Sequence, residues 1–370
     1  MQNNRPLFVE RIRRAASDAQ AQGLAGLAVV PGPNLRYLTG LAMPPSERLA
    51  LALFVAGKSP AFVVPAFEAE RVGQGAAVPA DVFAYTDEEG PRAAVGQACR
   101  HLGLTGERVG AESLHMRLME LQWLREAGVQ VAAADDIFAG ARLRKDAAEI
   151  AAMREAIART ERVLRAFLPE IRPGRTEREL AARLRAMLLD TSGEDVAFSP
   201  ILVAGPNTAL PHGTPSERPL QTGDLVILDC GIYHAGYVSD ITRTFAVGAV
   251  EPELRRVYDV VLEANRAGRE ACRPGVAAQE VDRATRGVIR AAGYGDAFTH
   301  RTGHGIGLEV HEPPYVVEGN ALPLAPGMTF TVEPGIYLPG RGGVRIEDDV
   351  AITADGAEVL TSFPRELMVL

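Results

Sequence analysis

The stretch PLQTGDLVILDCGIYHAG, residues 219–236, has a second copy in the chain, PLAPGMTFTVEPGIYLPG, at residues 323–340. At this offset of 104 residues, the equivalent positions that carry the same residue or exchange one acid for another include Pro219/Pro323, Gly223/Gly327, Asp229/Glu333, Gly231/Gly335, Tyr233/Tyr337 and Gly236/Gly340. These agreements over eighteen positions exceed what chance similarity between short glycine-rich motifs provides. The chain therefore contains an internal repeat.

A second pair of matching segments lies upstream of these copies. RPGRTERELAARLR begins at Arg172, and RPGVAAQEVDRATR begins at Arg273. In the first segment, Thr176 and Glu179 have the spacing of a capping box, in which each side chain bonds the backbone N–H of the other residue at a helix start. Each half is therefore predicted to be a helix followed by a strand hairpin. Two such halves can pair their sheets around a pseudo-twofold axis with helices on the outer face, which predicts an α+β domain.

The first 134 residues show a different pattern, in which strand-like and helix-like segments alternate. Predicted strands are residues 25–30, 49–56, 61–65, 82–85 and 108–111, and predicted helices are residues 91–102 and 114–127. This alternation predicts an α/β domain. A long helix with apolar residues at helical spacing is predicted at residues 147–168, ended by Pro169. We place the two domains at residues 1–136 and 137–370.

Composition limits the kinds of partner that the protein can have. A chain of 370 residues suggests two domains. The net charge of −8 and the pI near 5.5 argue against nucleic acid and anionic membranes, since both bind basic faces. No apolar run in the sequence approaches the ~18 residues that a membrane span needs. Cys99, Cys230 and Cys272 are far apart and form no CxxC pair, so we expect reduced thiols and a cytoplasmic location.

The repeat places an acid at the same point of each copy. Asp229 ends the apolar run DLVILD, and Glu333 ends MTFTVE. A single carboxylate at a strand end is usually a turn residue. Here, however, each strand is followed by a second acid on the returning strand, Asp240 in YVSDITRT and Glu347 in GGVRIEDDV. A pseudo-twofold axis would bring all four carboxylates to one central point.

Four carboxylates cannot share one site without added positive charge. Each close pair repels by ~4 kcal/mol at a separation of about 4 Å and an effective dielectric constant of about 20. Two divalent cations would balance the four acids, and His304 in TGHGIG could add a nitrogen ligand. This oxygen-rich set suits hard or borderline ions such as Mn²⁺, Co²⁺ or Zn²⁺. Such ions lower the pKa of a bound water from ~15.7 towards ~7, which provides a nucleophile for hydrolysis.

Three segments resemble the ligand motifs of the pita-bread metallopeptidases in order and spacing. They are LDCGIYHAGYVSDITRTF, GHGIGLEVHEPP and VEPGIYLPGRGGVRIED, and the family comprises Xaa-Pro dipeptidase (prolidase), aminopeptidase P and methionine aminopeptidase. The resemblance implies two divalent metal ions, with Mn²⁺ preferred over Co²⁺ and Zn²⁺. The implied metal ligands are Asp229, Asp240, His304, Glu333 and Glu347. Metal-free relatives of the same fold, such as creatinase, replace some of these acids, so they fit this chain poorly.

The resemblance also assigns residues around the metals. His212 in LPHGTP and His311 in EVHEPP match substrate-facing histidines, which would hydrogen-bond the scissile carbonyl and its oxyanion, with proton transfer as a second role. Glu333 can serve as the general base. Three further residues match positions around the site and are candidates for substrate binding: His300, Tyr337 and Arg345. For Arg345, the alternative is a structural salt bridge that holds a ligand carboxylate in place.

Several activities are compatible with this resemblance. The expected reaction removes an N-terminal residue that precedes proline, from Xaa-Pro dipeptides as a prolidase does or from longer peptides as aminopeptidase P does. Methionine aminopeptidases resemble only the second domain, whereas this chain has an N-terminal domain and the stretch NLRYLTG, residues 34–40, typical of the proline-specific branch. An inactive pita-bread binding module is the alternative of another class, although such modules have lost ligand acids. We expect small proline-containing peptides as substrates and a homodimer as the assembly.

Preference for dipeptides requires a cation near the carboxylate that the proline carries. In some similar prolidases an arginine follows the second histidine motif, but this chain reads HEPPYVV there, with Tyr315. Arg48 in MPPSERLALALF is the candidate replacement, because an arginine can bind a carboxylate through two hydrogen bonds. The alternative is a surface arginine paired with Glu47.

Overall fold

The computed structural model describes residues 5–370, which form two compact units that meet in the sequence between Arg142 and Leu143. Within the described residues, no helix is both long enough and apolar enough to cross a membrane. Each unit has its own buried apolar clusters.

The first unit is built on a six-stranded mixed sheet in the order β4-β3-β2-β1-β5-β6. Its strands are β1 Gly26–Val29, β2 Leu51–Phe54, β3 Ala61–Pro65, β4 Asp81–Tyr85, β5 Arg108–Ala111 and β6 Gln130–Ala133. Its helices are α1 Arg5–Ala21, α2 Pro33–Thr39, α3 Ala69–Gly75, α4 Arg92–Leu102, α5 Leu118–Glu126 and α6 Asp135–Arg142. Successive residues of β1 join different apolar clusters, Leu27 one and Ala28 the other, so both faces of the sheet are covered.

The predicted elements of this unit are found with small shifts in their ends. All five predicted strands form, and the helix predicted at residues 91–102 begins at Arg92. The predicted start of the helix at residues 114–127 was wrong, because residues 114–117 are not helical and the helix begins at Leu118. The sequence reasoning missed β6 and four of the helices, α1, α2, α3 and α6.

The second unit contains four helices and two larger sheets. The helices are α7 Ala147–Phe167, α8 Glu177–Ser192, α9 Pro252–Ala271 and α10 Ala278–Ala291. The strands are β7 Ile201–Ala204, β8 Leu225–Cys230, β9 Tyr233–His234, β10 Tyr237–Val238, β11 Ile241–Ala246, β12 Gly303–Gly305, β13 Glu312–Val316, β14 Thr329–Val332, β15 Gly335–Leu338, β16 Gly342–Arg345, β17 Asp348–Ile352 and β18 Ala357–Val359. The sheets have the orders β11-β8-β7 and β13-β12-β14-β17-β18, and β9–β10 and β15–β16 form separate hairpins.

The internal repeat is visible in the backbone pairing of this unit. Thr176 forms an isolated antiparallel bridge with Pro219, and Ala277 forms the equivalent bridge with Pro323. The residue numbers differ by the two offsets of the sequence repeat, 101 and 104. Each half contains two helices. The helix predicted at residues 147–168 forms as α7 and precedes α8, whereas α9, which precedes α10, was not predicted. The predicted capping box also forms, since Thr176 Oγ1 accepts from the backbone N–H of Glu179 at 3.2 Å.

Candidate active site

The two halves of the repeat deliver their acids to one cavity. Asp229 lies near the end of β8 and Glu333 directly follows β14. Asp240 and Glu347 directly precede β11 and β17, the strands that pair with β8 and β14. All four side chains line a cavity of about 650 Å³. The convergence of carboxylates that the repeat predicts is therefore what the structure shows.

His304 joins these carboxylates because β12 lies very close to its neighbour. A Cβ atom on Gly303 would stand 1.8 Å from the carbonyl oxygen of Thr331, so only glycine fits there. The His304 Nε2 atom lies 3.3 Å from Glu333 Oε1 and 3.9 Å from Asp240 Oδ2. Its Nδ1 atom is 3.1 Å from the carbonyl oxygen of Gly305, which requires the proton on Nδ1 and leaves the Nε2 lone pair facing the acids.

Three of these side chains have the geometry of a metal site. One ligand atom each from Asp240, His304 and Glu347 lies within 4.8 Å of the other two, and all three residues are buried. An imidazole and two carboxylates at this spacing can hold a divalent ion.

Burial and crowding perturb the pKa values of these groups. The pKa values of Asp240 and Glu347 are raised well above their usual range, first by burial and then by repulsion from the other carboxylates. Burial raises the pKa of Glu333 to about 7 and lowers that of His304 to about 3. Neutral His304 is the form that can bind a metal, and a cation is what would relieve the repulsion among the carboxylates.

One buried atom tests whether a metal ion fits this set of residues. Asp229 Oδ2 accepts from Arg345 Nη2 at 2.6 Å, whereas Asp229 Oδ1 is buried and has no hydrogen-bond partner among the described residues. Leaving such an acceptor unsatisfied costs about 1–3 kcal/mol. A bound cation would satisfy it, so the side chains fit the implied divalent metal ions.

Hydrogen bonds from neighbouring residues hold the carboxylates in place. Thr242 Oγ1 donates to Glu347 Oε2 at 2.6 Å. The backbone N–H of Asp240 donates to Asp349 Oδ2 at 3.1 Å. The first contact orients the carboxylate of Glu347 before any ligand arrives, and the second fixes the backbone from which the Asp240 side chain projects.

Three further predicted histidines line the same cavity, and they are His212, His300 and His311. The rings of His311 and His304 meet edge to face with their centres 4.2 Å apart. The pKa of His311 is lowered, first by burial and then by the positive charge of Arg301. His311 is therefore a neutral donor or acceptor at neutral pH.

Hydrogen bonds link His300 to the two other predicted substrate-binding residues of this unit. His300 Nδ1 lies 2.8 Å from the carbonyl oxygen of Arg301, so Nδ1 carries the proton and Nε2 accepts from the Tyr337 hydroxyl at 2.9 Å. Arg345 Nη1 donates to the same hydroxyl at 3.1 Å and to the carbonyl oxygen of Pro211 at 2.9 Å. Tyr337 thus reaches the cavity through His300 and Arg345, and a direct contact of these residues with substrate stays a prediction.

Several lining residues were missed by the sequence reasoning, and they are Phe198, Ser199, Ile201, Pro211, Arg301 and Val310. Arg301 lies three residues before His304, in the same stretch HRTGHGIG. Its guanidinium lies over the ring of Tyr315 at 4.5 Å from the ring centre. This proximity to the histidine motif is the only feature of the sequence that could have pointed to Arg301 as a residue of the site.

Arg48 belongs to the first unit. Its guanidinium makes two hydrogen bonds to Asp87, at 2.7 and 2.8 Å, and a further ion pair with Glu47. The contact with Glu47 is the one expected if Arg48 is a surface arginine rather than a substrate-binding residue. Binding of a substrate carboxylate by Arg48 stays a prediction.

Buried carboxylates and an imidazole that fit metal ions, with further histidines around the same cavity, define a metal-dependent hydrolase of the pita-bread fold. The chain belongs to metallopeptidase family M24, whose profile matches residues 151–354, and residues 11–144 match the Creatinase/Prolidase N-terminal domain. Membership of this family implies divalent metal ions. The predicted fold class, an α/β domain followed by an α+β pita-bread domain with an internal repeat, is confirmed.

Similar proteins match nearly the whole chain. A probable dipeptidase, PepE, from Mycobacterium tuberculosis is 40% identical over 369 residues, which are 98% of this chain and 97% of the relative. A Xaa-Pro dipeptidase from Pyrococcus horikoshii is 33% identical over 362 residues, 97% of this chain and 99% of the relative. The crystal structure of a prolidase from Thermococcus sibiricus superposes with a TM-score of 0.93 at 34% identity, covering 98% of this chain and 99% of that one.

Proposed function

We propose that this protein hydrolyses the peptide bond between an N-terminal residue and proline, acting on Xaa-Pro dipeptides. The observation that carries the proposal is the convergence of all five predicted ligand residues with His212 and His311 on one cavity. The similarity to dipeptidases and prolidases over nearly the full chain supports the same substrate class.

Each group around the cavity has a distinct task in this proposal. Two divalent ions would be held by Asp229, Asp240, His304, Glu333 and Glu347. When bound, these ions supply positive charge and an ionised water near neutral pH. The carboxylate of Glu333 would take up a proton from the attacking water and pass it to the proline nitrogen as the C–N bond breaks. His212 and His311 donate hydrogen bonds to the oxygen of the scissile carbonyl as negative charge develops there.

We further propose that the ions are Mn²⁺, with Co²⁺ and Zn²⁺ as alternatives, and that the protein is a cytoplasmic homodimer. One imidazole among four carboxylates supports a hard or borderline ion. The three cysteines are buried and unpaired, which suits a reducing compartment. The dimer is supported by the family resemblance alone.

Hydrolysis of Ala-Pro, compared with Ala-Pro-Ala, tests the proposed substrate class. Metal-stripped enzyme to which Mn²⁺ is returned should cleave Ala-Pro with the higher kcat/KM. A higher value for Ala-Pro-Ala would favour aminopeptidase P. Cleavage of neither peptide would favour a binding module.

The preference for dipeptides is expected to depend on an arginine that binds the proline carboxylate. Arg301 lines the cavity and makes no ion pair with a carboxylate of residues 5–370, whereas Arg48 is already engaged by Asp87 and Glu47. We therefore expect Arg301→Ala to raise KM for Ala-Pro by about 10- to 100-fold, the value of one hydrogen bond to a charged group, and to change KM for Ala-Pro-Ala little.

Arg48→Ala, measured in parallel, tests the competing assignment. If Arg48→Ala raised KM for Ala-Pro selectively, while Arg301→Ala changed KM for both peptides equally, Arg48 would be the residue that binds the proline carboxylate. Equal effects on both peptides in both variants would contradict an arginine-based selection of dipeptides.

A further inference from the structure

The loop that carries His212 is held at both ends by one buried acid. The loop comprises residues 205–216 and follows strand β7, and Glu177 is the first residue of helix α8. Although its neighbours in the sequence are partly exposed, Glu177 itself is 0% exposed. The proposed mechanism gives this carboxylate no task, and it lies outside the cavity lining.

The two carboxylate oxygens of Glu177 serve opposite ends of the loop. Oε1 accepts from the backbone N–H of Ala204, just before the loop, at 2.7 Å and from Asn207 Nδ2 at 3.0 Å. Oε2 accepts from the backbone N–H of Ser216 at 2.9 Å, from Ser216 Oγ at 2.6 Å and from Asn207 Nδ2 at 3.1 Å. Glu177 therefore fixes the distance between the start and the end of the loop.

The charge of Glu177 is held by these hydrogen bonds. It forms no salt bridge within residues 5–370, and it lies in the first turn of α8, where the helix dipole favours an anion. Arg218 adds only a longer-range attraction, and a buried carboxylate without a direct ion pair is unfavourable unless its oxygens are well bonded. The donors of the loop are therefore what makes an acid tolerable at this position.

The internal repeat provides a comparison within the same chain. The position equivalent to Glu177 in the second half is Ala278, which is also 0% exposed and begins α10. A buried helix start of this kind therefore does not require an acid. The loop of the second half carries His311, and there a buried ion pair between Lys145 Nζ and Glu312 Oε1, 2.5 Å apart, holds the residue after the histidine.

We propose that Glu177 is a positioning residue that fixes the loop of residues 205–216 so that His212 faces the reacting carbonyl. The tip of the loop is open, since Leu210 is 60% exposed, and Arg345 holds it through the carbonyl oxygen of Pro211. Two backbone donors also hold the loop: the N–H of Gly343 bonds Thr208 Oγ1 at 2.7 Å, and the N–H of Arg178 bonds the carbonyl oxygen of Ser216 at 2.9 Å. Glu177 adds a side chain that joins both ends of the loop, and so further limits the freedom of His212. This inference rests on the proposed function, because it requires His212 to act on the substrate.

Glu177→Gln tests the inference with little change in volume. Glutamine has one acceptor oxygen, so its amide group must face a backbone N–H at one end of the loop. We expect kcat for Ala-Pro to fall about 10- to 100-fold, since a misplacement of about 1 Å can cost this much, while KM and metal content stay unchanged. Glu179→Gln is the matched control, because Glu179 is in the same helical turn but bonds only Thr176 and Arg175.

A double-mutant cycle with His212→Ala separates positioning of this histidine from general weakening. Glu177→Gln should lower kcat no further in the His212→Ala background, whereas effects that multiply would overturn the inference. If Glu177→Gln does not fold, Ser216→Ala can take its place in the double-mutant cycle with His212→Ala, because it removes a single hydrogen bond to the same carboxylate.

Amide hydrogen exchange gives a second readout that needs no activity. Residues 205–216 should exchange faster in Glu177→Gln than in Glu179→Gln, and equal rates would overturn the inference. An enzyme that cleaves no Xaa-Pro peptide, yet shows this faster exchange, would contradict the proposed function and leave the loop attachment in place. An active enzyme in which Glu177→Gln has wild-type turnover would contradict the inference alone.

Discussion

Replacing Asp240 with alanine is expected to abolish metal binding and peptidase activity together. Asp240 contributes one of the three ligand atoms that lie within 4.8 Å of one another, beside His304 and Glu347. Its pKa is raised well above the usual range by burial and by the neighbouring carboxylates, so its negative charge is stable only beside a cation. Metal ions contribute several kcal/mol of transition-state stabilisation, so the loss should be about 10³-fold or more in kcat/KM.

Metal content and turnover measured on the same sample check this expectation. Chelation of the wild-type protein should abolish activity, and Mn²⁺ or Co²⁺ should restore it, whereas neither ion should rescue Asp240→Ala. Asp259→Ala is the control, because Asp259 is an exposed acid paired only with Arg255. Full activity in protein shown to be free of metal would end the proposed hydrolytic mechanism.

The pairing of the two halves could be predicted from the sequence because the repeat preserves positions that the backbone needs. Gly223 and Gly327 both have positive φ, at 96° and 88°, where side chains other than glycine are strained. The acids that follow each strand were recognisable for the same reason. A repeat of this kind carries three-dimensional information, since equivalent residues in two halves lie at equivalent points around the axis.

The missed elements lack such a signal. The buried face of α1 consists of Ile12 and three alanines, which give little contrast with the rest of the helix. Strand β6, QVAA, is four residues long and lies at the edge of the sheet, where partial exposure removes the continuous apolar run of a central strand. Short or weakly apolar elements of this kind are fixed by their neighbours in the fold.

The candidate site likewise contains some residues that the sequence identifies and others that it does not. The four carboxylates lie at strand ends that the repeat identifies, whereas Phe198, Arg301 and Val310 reach the cavity from segments without periodicity. Glu177 resembles an ordinary acid of a first helical turn in the sequence, and only the structure shows that it bonds a loop about 30 residues further on. Contacts between such distant positions depend on the packed backbone.

His311→Ala is expected to leave both metal ions bound and to lower kcat by ~10²–10³, the usual effect of losing one oxyanion donor. The ring of His311 lines the cavity and lies edge to face with His304, while the predicted ligand atoms belong to other side chains. Its lowered pKa keeps the ring neutral at neutral pH, so it can donate a hydrogen bond without adding a charge that would repel the ions.

Metal analysis beside steady-state kinetics distinguishes this role from metal binding. A substrate-facing donor that acts in the transition state should change kcat and kcat/KM by similar factors, with KM little changed. His101→Ala is the control, because His101 is half exposed in the first unit and pairs with Asp81 at 3.0 Å. Loss of metal from His311→Ala would show that the ring belongs to the ligand set. An unchanged kcat would instead assign the hydrogen bond to the carbonyl oxygen to His212, and His212→Ala would then carry the whole effect.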